Sequence, residues 1–523
     1  MRTLHNPILP GFYPDPSLCR VGEDYYLVTS TFEYFPGVPV FHSRDLAHWQ
    51  QIGYCLDRPS QLPLEGTAPS KGIYAPTIRY HEGTFYMVTT LVRDENYWNN
   101  INFFVTAKDP AGPWSEPVII EGAQGIDPTL FFDGGKVYYL GNMRPEPEST
   151  GSSRHIWLQE LDITSGKLLG ERHILRTDGA VYNASAPEGP HLYHIGEYYY
   201  LMIAEGGTSM NHAVSIFRSH SLTGPYEVNP RNPVFTHRNF SRKSEINSTG
   251  HADLIETQKG EWWAFMLASR PDGGSFRRLG RETYAVPVIW EDQWPVFSPE
   301  TGRIEFTFPA PDLPEKRWPS LPACEQFDSP ELPRPFSLVR TPDPEKMPYS
   351  LTDRPGFLRL FCRPQTLAEH HCPAFVGRRQ QHLSFCAEAK MSFAPAQEEE
   401  YAGIVMLMSA GYHIRLETGQ GQIRLVQVIA GQESVTAQLP CQGGDFRMRM
   451  ESDGTGCTFS FAVIGRDGFQ QPWNMLAENI ALSPYSVSEA NRFTGTFLGM
   501  YASSNGKDSQ SFADFDWFEY REI

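Results

Sequence analysis

Between residues 13 and 268 the chain repeats one pattern of polar and apolar positions five times. The stretch YPDPSLCRVGEDYYLVTS is echoed by YAPTIRYHEGTFYMVTT and IDPTLFFDGGKVYYLGN, then by APEGPHLYHIGEYYYLMIA and GHADLIETQKGEWWAFMLA. Each copy reads as a short polar-then-apolar strand, a Gly-containing turn and a second strand rich in aromatic and β-branched residues, which is a hairpin signature. Aligned on Leu18, Ile78, Leu130, Leu192 and Leu254, the copies follow one another at 60, 52, 62 and 62 residues. Further strand pairs lie between the copies, with turns that recur as SRDLAHW, KDPAGPW and HSLTGPY. Four short strands per unit at this period make one propeller blade, so the pattern predicts a five-bladed β-propeller.

The repeat stops near residue 305. The segment FPAPDLPEKRWPSLPACEQFDSPELPRPFS is Pro-rich and reads as a linker. Beyond it, period-two alternation resumes in SFCAEAKMSF, GYHIRLETG, QIRLVQVIAG and FRMRMESDGTGCTFSFAVIG. Such strands, separated by Gly-rich turns and without helical periodicity, predict a β-sandwich. The expected organisation is all-β: a propeller over residues 1–308, a linker over 309–325 and a sandwich over 326–523. A length of 523 residues agrees with two domains rather than one core.

Charge narrows the ligand. The formal charge is 44 − 61 = −17, without a Lys/Arg block. That balance disfavours nucleic acid and anionic membrane surfaces as partners, and no apolar stretch reaches the length of a membrane span. A neutral ligand fits better: the 11 Trp, 24 Tyr and 33 Phe offer flat apolar faces to sugar rings. The first residues contain no apolar core of a secretory signal, so with Met1 as the start a cytoplasmic location is expected. The eight cysteines are scattered without a C-x-x-C pair, which predicts free thiols and no zinc cluster.

The repeat also locates candidate chemistry. The innermost strand of every blade lines the central channel of a propeller, so equivalent positions form a ring about the axis. Three residues before the alignment positions stand Asp15, Ala75, Asp127, Gly189 and His251, with Glu188 beside Gly189 and Asp253 two residues beyond His251. A single Asp-Pro is ordinarily a turn. Acids at matched positions around a narrow channel are another matter, because crowding and desolvation oppose their ionisation and such a cost suggests use. Glycoside hydrolysis needs a carboxylic acid to protonate the leaving oxygen and a carboxylate across the sugar ring. In inverting enzymes the two stand roughly 6.5–9.5 Å apart, with room for water. A third carboxylate would raise the acid's pKa by repulsion. The competing readings are a non-catalytic carbohydrate-binding propeller and a structural scaffold, and neither needs three acids.

The motifs FYPDPS, STFEYFPGVPVFHSRDL, GIDPTLF, APEGPHLY and LGRET together resemble glycoside hydrolase family 43. Within it they are similar to the branch of β-xylosidases and α-L-arabinofuranosidases that carries a concanavalin-like C-terminal β-sandwich. The resemblance spans essentially the whole chain. It implies that Asp15 is the general base, Glu188 the general acid and Asp127 the residue that tunes and orients the acid. It also implies that Arg281 contacts substrate and that Phe32, Tyr74 and Thr208 line the terminal-sugar subsite, with Ala75 and Ile126 adjoining it. His251 matches a channel histidine that meets water or a central cation, so a structural calcium is left open; no redox cofactor is required. The sandwich is implied to close one side of the pocket, with Phe493 as its contribution. Related β-xylosidases favour Trp at the position of Tyr74 and Phe at that of Ile126, and the smaller flat surface of Ile favours a furanose ring. The implied activity is release, with inversion, of terminal xylose from β-1,4-xylo-oligosaccharides, together with α-L-arabinofuranosidase activity. A predominantly α-L-arabinofuranosidase role on arabinose-decorated oligosaccharides is the close alternative. Imported xylo- or arabino-oligosaccharides are the expected partners, and a homo-oligomer is compatible with the sequence.

Overall fold

Each of the five repeats forms one antiparallel sheet whose four main strands follow chain order. Blade 1 comprises Ser17–Val21, Asp24–Val28, Gly37–Ser43 and Gln50–Leu56, and blade 2 Thr77–His81, Thr84–Val92, Ile101–Ala107 and Val118–Ile119. Blade 3 comprises Thr129–Asp133, Lys136–Met143, His155–Asp162 and Lys167–Arg176. Blade 4 comprises Glu188–Ile195, Tyr198–Glu205, Ala213–Ser219 and Glu227–Val228, and blade 5 Asn247–Glu256, Trp262–Ser269, Glu282–Glu291 and Trp294–Phe297. This is a computed structural model that describes residues 2–93, 100–144, 154–181, 184–241, 243–271, 277–441, 444–465, 467–486 and 493–523.

The apolar positions that define the repeat occupy equivalent places in the ladder. Leu18 pairs with Leu27, Ile78 with Met87, Leu130 with Tyr139, Leu192 with Leu201 and Leu254 with Ala264. All ten are buried, because each pair faces the packing layer between neighbouring blades. The first strands of the blades touch in a closed ring, from blade 1 through blade 5 and back to blade 1.

A buried carboxylate holds that ring. Asp253 of blade 5 accepts hydrogen bonds from Ser17 Oγ at 2.8 Å and the Leu18 amide at 3.0 Å in blade 1. It also accepts from Arg79 Nη1 of blade 2 at 3.1 Å and Tyr193 Oη of blade 4 at 2.6 Å. Burial alone would raise the Asp253 pKa, but Arg79, His191 and these donors hold it below the ordinary carboxylate range. Outside the blades the two ends of the propeller segment meet, with Thr3–His5 paired to Thr307–Pro309.

The C-terminal domain is a sandwich of two eight-stranded sheets. Phe385, Met391, Phe446 and Phe515 of one sheet pack against Ile404, Met406, Leu416 and Met500 of the other. Two details differ from the sequence expectation. Cys324–Glu325, assigned to the linker, pairs with Phe518 and Glu519 and belongs to the sandwich, while Pro309 still belongs to the propeller. The other sheet takes its edge strand from the propeller: Tyr34 and Phe35 pair with Val339 and Leu338. The domains share an aromatic cluster in which Tyr34 stacks on Phe497 at 3.9 Å. Arg379 Nε donates to the Phe12 carbonyl at 2.7 Å and Arg340 Nε to that of Thr67 at 2.7 Å. Among the described residues there is no α-helix, only a 3-10 turn at Ser483–Tyr485, and no helix long and apolar enough to cross a membrane.

Asp253→Asn leaves Arg79 buried without its counter-ion, and the loss expected at neutral pH is about 3–5 kcal/mol. Urea midpoints of the two proteins measure it. The folded-state pKa of Asp253 is depressed, so the stability it contributes is present above about pH 4, the unfolded value, and is lost below it. The gap between wild type and variant should therefore narrow as pH falls below about 4.

Candidate active site

The ring positions share a backbone feature that the repeat alone does not announce. Asp15, Asp127, Gly189 and His251 have φ of 55°, 56°, 56° and 51°, so four of the five blades enter the left-handed region at the same place. For Asp and His this conformation costs about 1–3 kcal/mol each, and such strain collects at functional sites. In blade 4 the position must be glycine, since a Cβ on Gly189 would stand 2.7 Å from His251 Nε2. The carboxylate of that blade is displaced by one residue, to Glu188.

These residues converge on one pocket of about 170 Å³. Sites for drug-sized ligands run to about 300–1,000 Å³, so this one suits a single small ring. Glu188 and His251 line it from the inner strands of their blades, and Asp15 and Asp127 from the turns that enter theirs. One end is aromatic: the Phe32 ring lies 5.1 Å from Tyr74 and 5.6 Å from Phe493, which meets Tyr74 at 5.9 Å. The Arg281 guanidinium stands 5.3 Å from both the Phe32 and the Phe493 ring. Ala75, Ile126 and Thr208 complete the wall, with Arg281 Nη1 donating to Thr208 Oγ1 at 3.3 Å. Phe493 comes from the sandwich, its amide fastened to Ser70 Oγ at 3.0 Å and its carbonyl to Arg281 Nε at 3.3 Å. Of the candidate side chains singled out from the sequence, all but Asp253 are thus brought together in this pocket, and Asp253 instead ties the blades to one another.

The carboxylates are held in opposite environments. Burial would raise Asp15, but Arg281 donates to it from both Nη1 at 2.8 Å and Nη2 at 3.3 Å, and Ser30 Oγ from 2.5 Å. With His251 Nδ1 3.6 Å away, the net shift is downward and Asp15 is an ionised carboxylate. Asp127 is driven the other way, first by burial, then by the charges of Glu188 and Asp15, and lies well above the ordinary range. Asp127 therefore keeps a proton that a solvated carboxyl would have lost. Glu188 accepts from Arg154 Nη1 at 2.7 Å. One base and one proton source in a single small pocket suit acid–base hydrolysis of a glycosidic bond.

Arg154, Ala186, Gly207 and His212 also line the pocket and were not found from sequence. A signal for Arg154 existed. Phe32, Thr208 and Arg281 all lie between the second and third strands of their blades, on the side of the sheet from which the first strand starts. Arg154 occupies the same connection in blade 3, but its loop carries no aromatic or recurring turn to mark it. His212 is neutral, pushed down to about 3 by burial. Among the described residues no group of three or more His, Cys, Asp or Glu side chains could hold a metal ion, and no step is assigned to a cation.

Comparison with known proteins agrees with this arrangement. Residues 4–295 match the model of the Glycosyl hydrolases family 43, and residues 324–521 match that of the Beta xylosidase C-terminal Concanavalin A-like domain. A xylosidase/arabinosidase of Butyrivibrio fibrisolvens is 44% identical over 531 residues, covering 99% of each chain. A non-reducing end alpha-L-arabinofuranosidase of Bacteroides ovatus is 39% identical, with 99% of this chain and 95% of that one covered. The crystal structure of a xylan beta-1,4-xylosidase from Bacillus halodurans C-125 has a TM-score of 0.91 at 34% identity, covering 99% of this chain and 100% of that one.

Arg281 sets the ionisation of Asp15, and Arg281→Ala removes the largest influence that lowers it. Burial then prevails, the carboxyl is pushed up, and the base loses its charge at a higher pH. The acidic limb of the kcat/KM–pH profile should shift upward, with kcat/KM at the optimum reduced at least about tenfold by lost charge-assisted hydrogen bonds. A limb that stays in place would show that Arg281 does not govern the base.

Proposed function

The chain belongs to glycosyl hydrolase family 43, and on that premise we propose that it is an inverting, exo-acting pentosidase. It removes terminal non-reducing xylose from β-1,4-xylo-oligosaccharides and terminal arabinofuranose from α-L-arabinosides. The observation that carries this reading is the pairing, in one pocket that Glu188 also lines, of an ionised Asp15 with a proton-retaining Asp127.

Each residue has a role. The terminal sugar enters the aromatic end, flanked by Phe32, Tyr74 and Phe493, where apolar ring faces pack against it. Arg281 and Thr208 offer donors to its hydroxyls. Asp15 takes a proton from water as that water attacks the anomeric carbon. Glu188 gives a proton to the glycosidic oxygen as the bond breaks, and Asp127, which burial keeps protonated, is the neighbouring source that resupplies it. The step balances: the water's hydroxide joins the terminal sugar and the acid's proton joins the leaving group, after which Asp15 gives its new proton to solvent and Glu188 takes one back.

Two features support action on both sugars. By the family resemblance, Tyr74 and Ile126 stand where related β-xylosidases carry larger surfaces, which would leave room for a furanose, and relatives are named for xylosidase, arabinofuranosidase or both activities. A pocket walled by a second domain suits chain ends rather than chain interiors. The eight cysteines are free, seven of them buried, which suits a reducing compartment and cytoplasmic action on imported oligosaccharides.

The test is turnover of 4-nitrophenyl β-D-xylopyranoside, 4-nitrophenyl α-L-arabinofuranoside and xylobiose. Asp15→Asn should lose activity on all three. Glu188→Gln should lose about 10²–10⁴ on xylobiose and less on the 4-nitrophenyl glycosides, whose leaving group needs little protonation. Proton NMR of the first product should show α-xylose. β-Xylose appearing first would contradict inversion, and inertness on all three substrates would sink the pentosidase reading.

A further inference from the structure

Arg154 stands where chemistry would not put a cation for the acid's sake. It directly precedes the third strand of blade 3, its side chain is mostly buried, and its Nη1 lies 2.7 Å from Glu188 Oε2 in the same pocket. A guanidinium beside a carboxyl favours the ionised form, whereas a general acid must carry its proton when the bond breaks. The same guanidinium also lowers Asp127, working against the burial and repulsion that keep a proton in this corner. The ion pair therefore opposes the step that the rest of the corner prepares, unless the arginine has another partner during that step.

The pocket's layout supplies one. Phe32, Tyr74, Phe493 and Arg281 gather at the Asp15 end, whereas Arg154 meets Glu188. The acid must reach the glycosidic oxygen, so the departing sugar lies within bonding range of Glu188. It then lies within reach of a guanidinium already 2.7 Å from that carboxyl. A planar fork of N–H donors suits vicinal hydroxyls, and an arginine holds such a pair better than a point-charged ammonium.

We propose that Arg154 is a binding residue for the leaving group. It pairs with Glu188 while the pocket is open, and donates to the hydroxyls of the departing sugar when an oligosaccharide fills it. This rests on the pentosidase reading and deepens it, because it makes the chain selective for glycosides whose leaving group is itself a sugar. A 4-nitrophenyl group has no hydroxyl to offer and gains nothing from Arg154.

The experiment is the ratio of kcat/KM on xylobiose to kcat/KM on 4-nitrophenyl β-D-xylopyranoside, in wild type, Arg154→Gln and Arg154→Lys. Arg154→Gln should lower the ratio about tenfold or more, the equivalent of one charge-assisted hydrogen bond. Arg154→Lys, which keeps a donor and a charge but not the fork, should fall between. A ratio within threefold of wild type in Arg154→Gln overturns the inference. Should Arg154→Gln fail to fold, an unchanged ratio in Arg154→Lys does the same. Wild type inert on both substrates would instead refute the pentosidase reading, and the role of Arg154 would fall with it. An active wild type with an unchanged variant ratio refutes only the role of Arg154.

Discussion

Five blades arranged about an axis leave a channel, and whatever fills it fixes the distances between the residues at its mouth. Here the filling is the Asp253 carboxylate with Arg79, Tyr193, Ser17 and the neutral His191, which burial pushes down to about 3. Blades 1, 2, 4 and 5 are tied directly, and blade 3 joins through Thr129 Oγ1, 3.4 Å from His191 Nδ1, and through the Pro128 carbonyl, which accepts from Thr77 Oγ1 at 2.9 Å. An isolated buried carboxylate would be costly; one that accepts from donors on three other strands is instead a geometric constraint. Asp253 lies two residues beyond His251, which in turn borders both Asp15 and Gly189. The position of the base is therefore inherited from the plug beneath it.

The site must then solve a problem that repetition creates. Asp15 and Asp127 have the same side chain, a following proline and nearly the same φ, because they are equivalent residues of one repeat. Catalysis needs equivalents in unequal states. The inner strands cannot differentiate them, so the work passes to the connections between second and third strands, which diverge freely. Blade 5 sends Arg281 to Asp15, while Asp127, among the described residues, accepts no hydrogen bond and is left to burial and to Glu188. Repeated geometry supplies the pair, and neighbour chemistry sets the protonation of each member.

This division explains what was legible in the sequence. The blades and the ring of acids followed from a period that any reader can count, since equivalent residues in a closed repeat must be equivalent in space. Asp15, Asp127 and His251 were reachable that way, and Glu188 by its neighbour. Features outside the period were not. Tyr34–Phe35 carries no mark that it pairs with Val339 and Leu338, some 300 residues away, because strand pairing across domains leaves no local pattern. Cys324–Glu325 was hidden by the prolines around it. Phe32, Tyr74, Thr208 and Phe493 needed the family resemblance, and Arg154 escaped even that.

The sandwich is more than a neighbour of the pocket. Phe32 and Tyr34 are two residues apart in one connection of blade 1: Phe32 faces the sugar end of the pocket, and Tyr34 lies in a sandwich sheet and stacks on Phe497. Phe32 is itself clamped from the propeller, its amide donating to the Ile73 carbonyl at 2.9 Å and its own carbonyl accepting from the Ile73 amide at 3.1 Å. Gly72 permits this approach, since a Cβ there would stand 2.2 Å from the Phe32 carbonyl oxygen. Opening the aromatic end to admit a longer chain would require breaking this clamp, the Tyr34–Phe35 pairing and the Phe493–Ser70 contact together. Those interactions belong to folding and not to catalysis. The restriction to chain ends is thus built into the way two domains share an edge strand, and the carboxylates would serve an open cleft equally well.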